Sequence, residues 1–374
     1  MNNIILFVVN VDWFFISHRL VIAKEALAKG FKVYVACHDS GRKNEIIEAG
    51  IEFIDIPISR SGTNPINEIK TLLKLYSIYS NLKPGIVHHI SLKPVIYGSI
   101  VSKLLKLKSV VNAISGLGYL FTTDRKSLAV FIIKGLFKLI NIIGKPHYIF
   151  QNEMDLQEFK RLGVEENYTL IKGSGVNHKE FIYTPPIENQ KVNITFTGRI
   201  LKDKGIVELI NAVEILPIEI QSKVVLNIYG KIDLDNPAHI TDNELKKLLK
   251  PNLIIWHGNT NDIKNVLIKS DIYCLPSYRE GLPKSTIEAM AIGRPIITTN
   301  APGCEDTVSE GVNGFKVDIK DHKTLSEKLQ ILIQDETLRI QMGKKSREIF
   351  EENFTLDKVV KQTFDLYESL IVKN

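Results

Sequence analysis

Apolar residues fall in short β-branched runs, and stretches of helical period separate one run from the next. Six runs occupy 4–10, 32–37, 53–57, 86–90, 110–114 and 148–152. Five more occupy 193–198, 224–230, 253–258, 271–276 and 295–300. A run that is apolar throughout, rather than at every second position, predicts a parallel strand covered on both faces. Two such series predict an α/β chain of two doubly wound units. Pro185-Pro186 and the polar residues around them interrupt the pattern near 177–190. The expected domains are therefore 1–182 and 183–354. The segment 355–374 has a helical period and is expected to cross back to the first domain.

Length agrees, since 374 residues exceed one ordinary core and suit two. With 44% hydrophobic and 24% charged residues the chain is neither disordered nor fibrous. Its three cysteines, Cys37, Cys274 and Cys304, are far apart and form no CxxC or Cys/His cluster. They predict no disulfide framework and no zinc site, and they suit a reducing compartment. The N-terminus enters a strand-like run directly and reads as having no signal peptide.

Charge changes the picture more. The net charge of +6 is modest, but from Arg60 to Phe150 there are 13 Lys or Arg against two acids, Glu68 and Asp124. Within that stretch 126–145 is strongly apolar yet carries Lys134 and Lys138. Such a basic amphipathic helix lies in an anionic membrane interface; the other reading is a core helix whose lysines reach out to water. The central lysines argue against a membrane span. No motif for nucleic acid is present.

Two constellations carry chemistry. The first is GRILKDKG at 198–205, a strand end leading into a helix near Ile206. Arg199, Lys202 and Lys204 precede that helix, the wrong sign for its N-terminus by about 0.3–1 kcal/mol per exposed charge. A bound anion reverses the problem, because amide N–H groups and cations then converge on it; a solvated lysine-rich loop is the alternative. The second is EGLPKSTIEA at 280–289. Glu280 stands at the carboxyl end of a strand, where ligands bind open α/β sheets. Pro283 fits the first helical turn. Glu288 follows on the second turn among apolar neighbours, where a carboxylate needs donors such as ribose hydroxyls. A capping acid and an exposed helix face are the plainer readings of the two glutamates.

These segments, with SGVN at 174–177 and APGCEDTVSEGVNG at 301–314, resemble family 4 of the retaining glycosyltransferases. The resemblance implies the GT-B fold, two Rossmann-like domains facing across a cleft, the N-terminal one binding acceptor and the C-terminal one a sugar nucleotide. It implies that Arg199 and Lys204 hold the donor diphosphate, with Gly198 in the same loop. Glu280 is then near the donor sugar, with Gly281, Leu282 and Pro283 beside it, and Glu288 binds the ribose. The segments 10–20, 88–98 and 115–121 are similar to bacterial transferases that extend undecaprenyl-diphosphate-linked sugars, α-1,3-N-acetylgalactosaminyltransferases among them. This implies a UDP-sugar donor, a polyprenyl-diphosphate-linked saccharide acceptor and a cytoplasmic site on the inner face of the membrane.

The first loop departs from the family. Many members have paired glycines after the first strand, and Val11-Asp12-Trp13 stands there instead, leaving His18 and Arg19 as polar substitutes. Strand alternation sends His88 and His89 to opposite faces, and either is a site candidate or a structural histidine. Lys93, before Pro94, is a similar candidate. Asp233-Leu234-Asp235 has the DxD spacing of metal-dependent transferases, but acids beside a proline form turns, and neither metal nor cofactor is expected. Two rival readings are a UDP-sugar 2-epimerase of the same architecture and a non-catalytic membrane- or nucleotide-binding protein.

Overall fold

The computed structural model describes residues 2–59, 64–116, 128–234 and 236–372. Of the positions read above, Arg60, 117–121, Asp124, Lys126 and Asp235 lie outside these residues. The chain forms two compact units: Met1–Ser174 with Lys358–Asn374, and Gly175–Asp357.

The first unit is built on seven parallel strands: β1 (Ile4–Val11), β2 (Lys32–His38), β3 (Glu52–Asp55), β4 (Ile86–Ile90), β5 (Val110–Ile114), β6 (His147–Phe150) and β7 (Tyr168–Leu170). They lie in the order β3-β2-β1-β4-β5-β6-β7. The second unit has six, also parallel: β8 (Val192–Thr197), β9 (Val224–Tyr229), β10 (Ile254–Trp256), β11 (Ile272–Leu275), β12 (Ile296–Thr299) and β13 (Gly314–Val317). Their order is β10-β9-β8-β11-β12-β13. Strands β4, β5, β11 and β12 are buried at every position, the two histidines of β4 and Asn112 of β5 included, as parallel strands covered on both faces are. Strands β7 and β13 were not expected. They are three and four residues long and stand at sheet edges, where half-exposed polar residues break the apolar signal.

The division between units falls at 174/175 rather than 182/183. Val176 donates its N–H to the Phe354 carbonyl (3.1 Å) and accepts one from Leu356 (2.9 Å), and Phe181 packs in the second core. These contacts tie 175–182 to the second unit. The helix Leu356–Val372 places Val359, Phe364, Leu366 and Tyr367 in the core of the first.

The basic apolar segment forms the helix Leu128–Ile143. Its lysines are not alike. Lys134 turns to Glu158 at 2.6 Å, whereas Lys138 is exposed. Val130, Phe137 and Ile140 are buried. The three cysteines are free and buried. Among the described residues no helix is long and apolar enough to cross a membrane.

Candidate active site

In the second unit the loops after β8 and β11 meet because glycine lets them. Gly205 has φ +69°, a conformation L side chains rarely adopt, and a Cβ there would overlap the Pro276 carbonyl just past β11. Two hydrogen bonds fix the approach: the Tyr278 N–H and the Ser277 hydroxyl both donate to the Asp203 carbonyl, at 2.8 and 3.1 Å. Lys204 ends the 3-10 turn Lys202–Lys204, immediately before the helix Ile206–Glu214. There its ammonium forms an ion pair with Glu280. Sequence positions 76 apart thus share one charge pair.

A third loop supports them. Gly303, at φ +74°, lets the 301–304 turn lie against the carbonyls of Glu280 and Gly281, and the Glu280 N–H donates to the Pro302 carbonyl (2.9 Å). Arg199 follows Gly198, whose N–H donates to the Tyr229 carbonyl at 3.0 Å. Its guanidinium holds Asp233 at 2.7 Å. The first acid of the DxD spacing is therefore engaged by an arginine, a partner that sequence reading missed because it lies 34 residues away on another loop. Asp203 links the group electrostatically. Burial pushes its carboxyl up, while Lys204, Glu280 and Arg199 all act on it.

Glu288 lies on the helix Lys284–Ile292, which Pro283 precedes as its cap rather than opening its first turn. Its side chain is only 13% exposed, with Lys284 at 3.6 Å. Burial raises its pKa and Lys284 opposes the rise. Tyr273 of β11 feels both glutamates. The Leu282 side chain belongs to the hydrophobic core of the second unit and anchors the loop.

The first-unit candidates do not assemble in the same way. Asp12, in the place of the paired glycines, is fully buried and accepts from the N–H groups of Ser40 (2.8 Å) and Arg42 (2.9 Å) and from the Ser40 hydroxyl. The carboxylate thus consumes amide donors that the loop after β2 would otherwise offer a ligand. His18 ends the helix Asp12–His18, stacked on Phe14 with centroids 4.2 Å apart, its Nδ1 2.6 Å from the Ser17 hydroxyl. Lys93, in the first turn of the helix Leu92–Leu104, pairs with Glu68 at 2.6 Å.

Both strand histidines are buried, on opposite faces of β4. His89 Nδ1 is 2.7 Å from Asn112 Oδ1 and its Nε2 2.8 Å from the Tyr79 hydroxyl. His88 Nδ1 is 2.5 Å from the Tyr367 hydroxyl. His88 is thus a buried residue braced on the C-terminal helix, its Nε2 buried without a hydrogen-bond partner among the described residues. Arg19 is 4% exposed and has no carboxylate partner among the described residues; burial pulls its pKa down to about 10. One guanidinium nitrogen reaches the Ser174 hydroxyl at 3.2 Å.

Two family models match the chain: "Glycosyl transferase 4-like" over residues 4–144 and "Glycosyl transferases group 1" over 178–349. The N,N'-diacetylbacillosaminyl-diphospho-undecaprenol alpha-1,3-N-acetylgalactosaminyltransferase of Campylobacter jejuni is 27% identical over 371 residues, covering 94% of this chain and 95% of that protein. An Escherichia coli UDP-Gal:alpha-D-GlcNAc-diphosphoundecaprenol alpha-1,3-galactosyltransferase is 27% identical, covering 91% and 90%. Among solved structures, a Rickettsia africae glycosyltransferase superposes with a TM-score of 0.79 at 18% identity over the whole of both chains. Anabaena HepE in complex with UDP gives 0.78 at 16% identity, covering 98% and 99%.

Proposed function

This chain belongs to the GT-B glycosyltransferases of the group 1 and 4-like type, and from that premise we propose that it transfers an N-acetylhexosamine, such as N-acetylgalactosamine, from a UDP-sugar to a polyprenyl-diphosphate-linked saccharide. The setting proposed is bacterial surface polysaccharide or glycan assembly, on the cytoplasmic face of an anionic membrane. The observation that carries the reading is the Lys204–Glu280 pair, which joins the two motif loops at one point. The printed names of the two relatives support the acceptor class, and the UDP-bound neighbour supports the donor.

In this mechanism the bond from the sugar's anomeric carbon to the diphosphate oxygen breaks as the acceptor hydroxyl oxygen attacks. The acceptor's proton passes to the departing diphosphate, on the same face, so configuration is retained. Arg199 and Lys204 meet the charge that grows on the leaving group, the kind of fixed electrostatic help that contributes most to catalysis. Lys204 exchanges Glu280 for the diphosphate, which frees the carboxylate to accept from a hydroxyl of the donor sugar. Glu288 accepts from the ribose. No metal takes part, so chelation with EDTA is expected to leave turnover unchanged.

The test is a panel of sugar nucleotides incubated with a synthetic polyprenyl-diphosphate sugar, with products identified by mass and NMR. A new glycosidic bond with release of nucleoside diphosphate is the expected result. A rearranged sugar formed from donor alone, without acceptor, would replace the proposal with an epimerase.

A further inference from the structure

The first unit holds a buried cation that its own residues do not neutralise. Arg19 stands between the helix Asp12–His18 and the helix Leu20–Ala28, which it precedes as the N-cap residue. It is 4% exposed, and its pKa falls only to about 10, so the guanidinium is charged at neutral pH. One terminal nitrogen donates to the His18 carbonyl at 2.9 Å and to the Ser174 hydroxyl at 3.2 Å. Those bonds turn the group back over the junction of the two helices. Its Nε is buried with no hydrogen-bond partner among the described residues. A buried charge is costly unless a partner supplies the opposite sign.

The described residues of this unit do not supply it. Tyr367 and His88 are the groups that Arg19 acts on through space. Burial drives the Tyr367 hydroxyl far above its ordinary range and holds the His88 imidazole well below its own, so both are neutral. The helix end adds to the imbalance. Leu20–Ala28 has nine residues, no side-chain cap and no acid in its first turn. Its first amides lack intrahelical partners and form the positive end of the helix dipole, beside a guanidinium of the same sign. That arrangement is unfavourable alone and becomes favourable once an anion joins it. This end of the helix reaches solvent, where Val21 is 45% exposed.

We propose that this junction is an anion site, in which Arg19, the first-turn amides of Leu20–Ala28 and the Ser174 hydroxyl hold a phosphate group. Each of these partners donates, since Ser174 Oγ accepts from Arg19 and keeps its own hydrogen for a ligand. All of them belong to the first unit. The phosphate comes either from the acceptor's diphosphate or from free inorganic phosphate. The first source rests on the polyprenyl-diphosphate reading and extends it. There Arg199 and Lys204 serve the donor, and the acceptor's own phosphates have no assigned partner.

The experiment titrates inorganic phosphate and pyrophosphate into the full chain carrying Arg199→Met and Lys204→Met, which removes the donor-side cations. Binding is read from the Arg19 Nε–H NMR signal, assigned by its loss in Arg19→Met. A saturable shift is expected, with a rise of about 3 °C in thermal midpoint at tenfold the dissociation constant. Adding Arg19→Met should abolish that rise. In phosphate-free buffer its midpoint should equal or exceed its parent's, because an unneutralised charge has left the interior. In the otherwise wild-type chain, Arg19→Met should raise KM for a polyprenyl-diphosphate sugar about thirtyfold and leave the donor KM unchanged. Transfer to a neutral alkyl glycoside should be equal in the two. Phosphate binding with an unchanged acceptor KM assigns the site to the free anion. An Arg19 signal that neither anion moves overturns the proposal. So does an Arg19→Met midpoint well below its parent's with an unchanged acceptor KM, which makes the residue a brace for Ser174. Failure of the acceptor reading looks different: the anions still shift Arg19 and no sugar is transferred.

Discussion

Both units wind their first six strands in one order, 3-2-1-4-5-6 counted within each unit, yet the loops that this order brings together are built in opposite ways. A reversal of winding between the first and fourth strands leaves a crevice at their carboxyl ends, and ligands bind there. In the second unit the two loops are long, 198–205 and 276–283, and meet through the Lys204–Glu280 pair. In the first, β1 runs straight into a helix whose first residue, Asp12, is buried on backbone amides. There β4 passes through Ser91, held at φ +77° and ψ 163°, into Leu92–Leu104. One topology therefore joins its switch-point loops by a charge pair in one copy and buries a carboxylate on backbone amides in the other.

The comparison breaks most easily at Glu280. Glu280→Ala is expected to lower turnover about a thousandfold with an unchanged thermal midpoint, because in the proposed mechanism the residue acts on the bound sugar while its loop is held by main-chain contacts. Nucleoside diphosphate release measured beside calorimetry separates the two effects. Normal turnover would leave the second unit's charge pairs without a catalytic role.

Acid should act on the buried histidines of the first unit and the buried carboxyls of the second with opposite signs. Burial holds His89 down to about 4 and His88 well below its ordinary range, so both are neutral when folded. The unfolded chain binds those protons near 6.5, so the stability they contribute is complete above that pH and falls as pH drops toward 4. For His89 the loss is on the order of 3 kcal/mol. Asp203, Asp271 and Glu288 in the second unit are shifted upward by burial. Their contribution runs the other way, greatest at low pH and lost as pH rises through their folded values. Hydrogen exchange followed from pH 7 to pH 4 should show the first unit opening first, and simultaneous opening would contradict this assignment.

Arg199→Met comes next, with an expected loss of about a hundredfold in kcat/KM for the donor. It also leaves Asp233 without its guanidinium, and Arg199→Met/Asp233→Asn should fold as well as wild type while remaining as slow. That pair shows where sequence reading stops. Dense β-branched apolar runs announced eleven of the strands, because most positions of a parallel strand covered on both faces are apolar. Proximity between Lys204 and Glu280 was legible only through a family resemblance, since nothing local ties positions 76 apart. The Arg199–Asp233 pair was hidden because the acid sits in a loop where turn formation explains it equally well. His88 stayed open for a related reason: the partner that braces it, Tyr367, comes from the far end of the chain.

His88 also gives the smallest and cleanest contrast. If the first unit's polar groups serve its own packing, His88→Phe should cost about 1–3 kcal/mol, because the buried Tyr367 hydroxyl loses its hydrogen-bond partner. Turnover measured well below the melting temperature should be unchanged. Tyr367→Phe removes the stranded hydroxyl, so the double variant should recover most of the lost stability, and the coupling between the two changes is the quantity to measure. A donor or acceptor KM that rises in His88→Phe and does not recover in the double variant would make this histidine a substrate contact, and the two switch points would then be alike in kind.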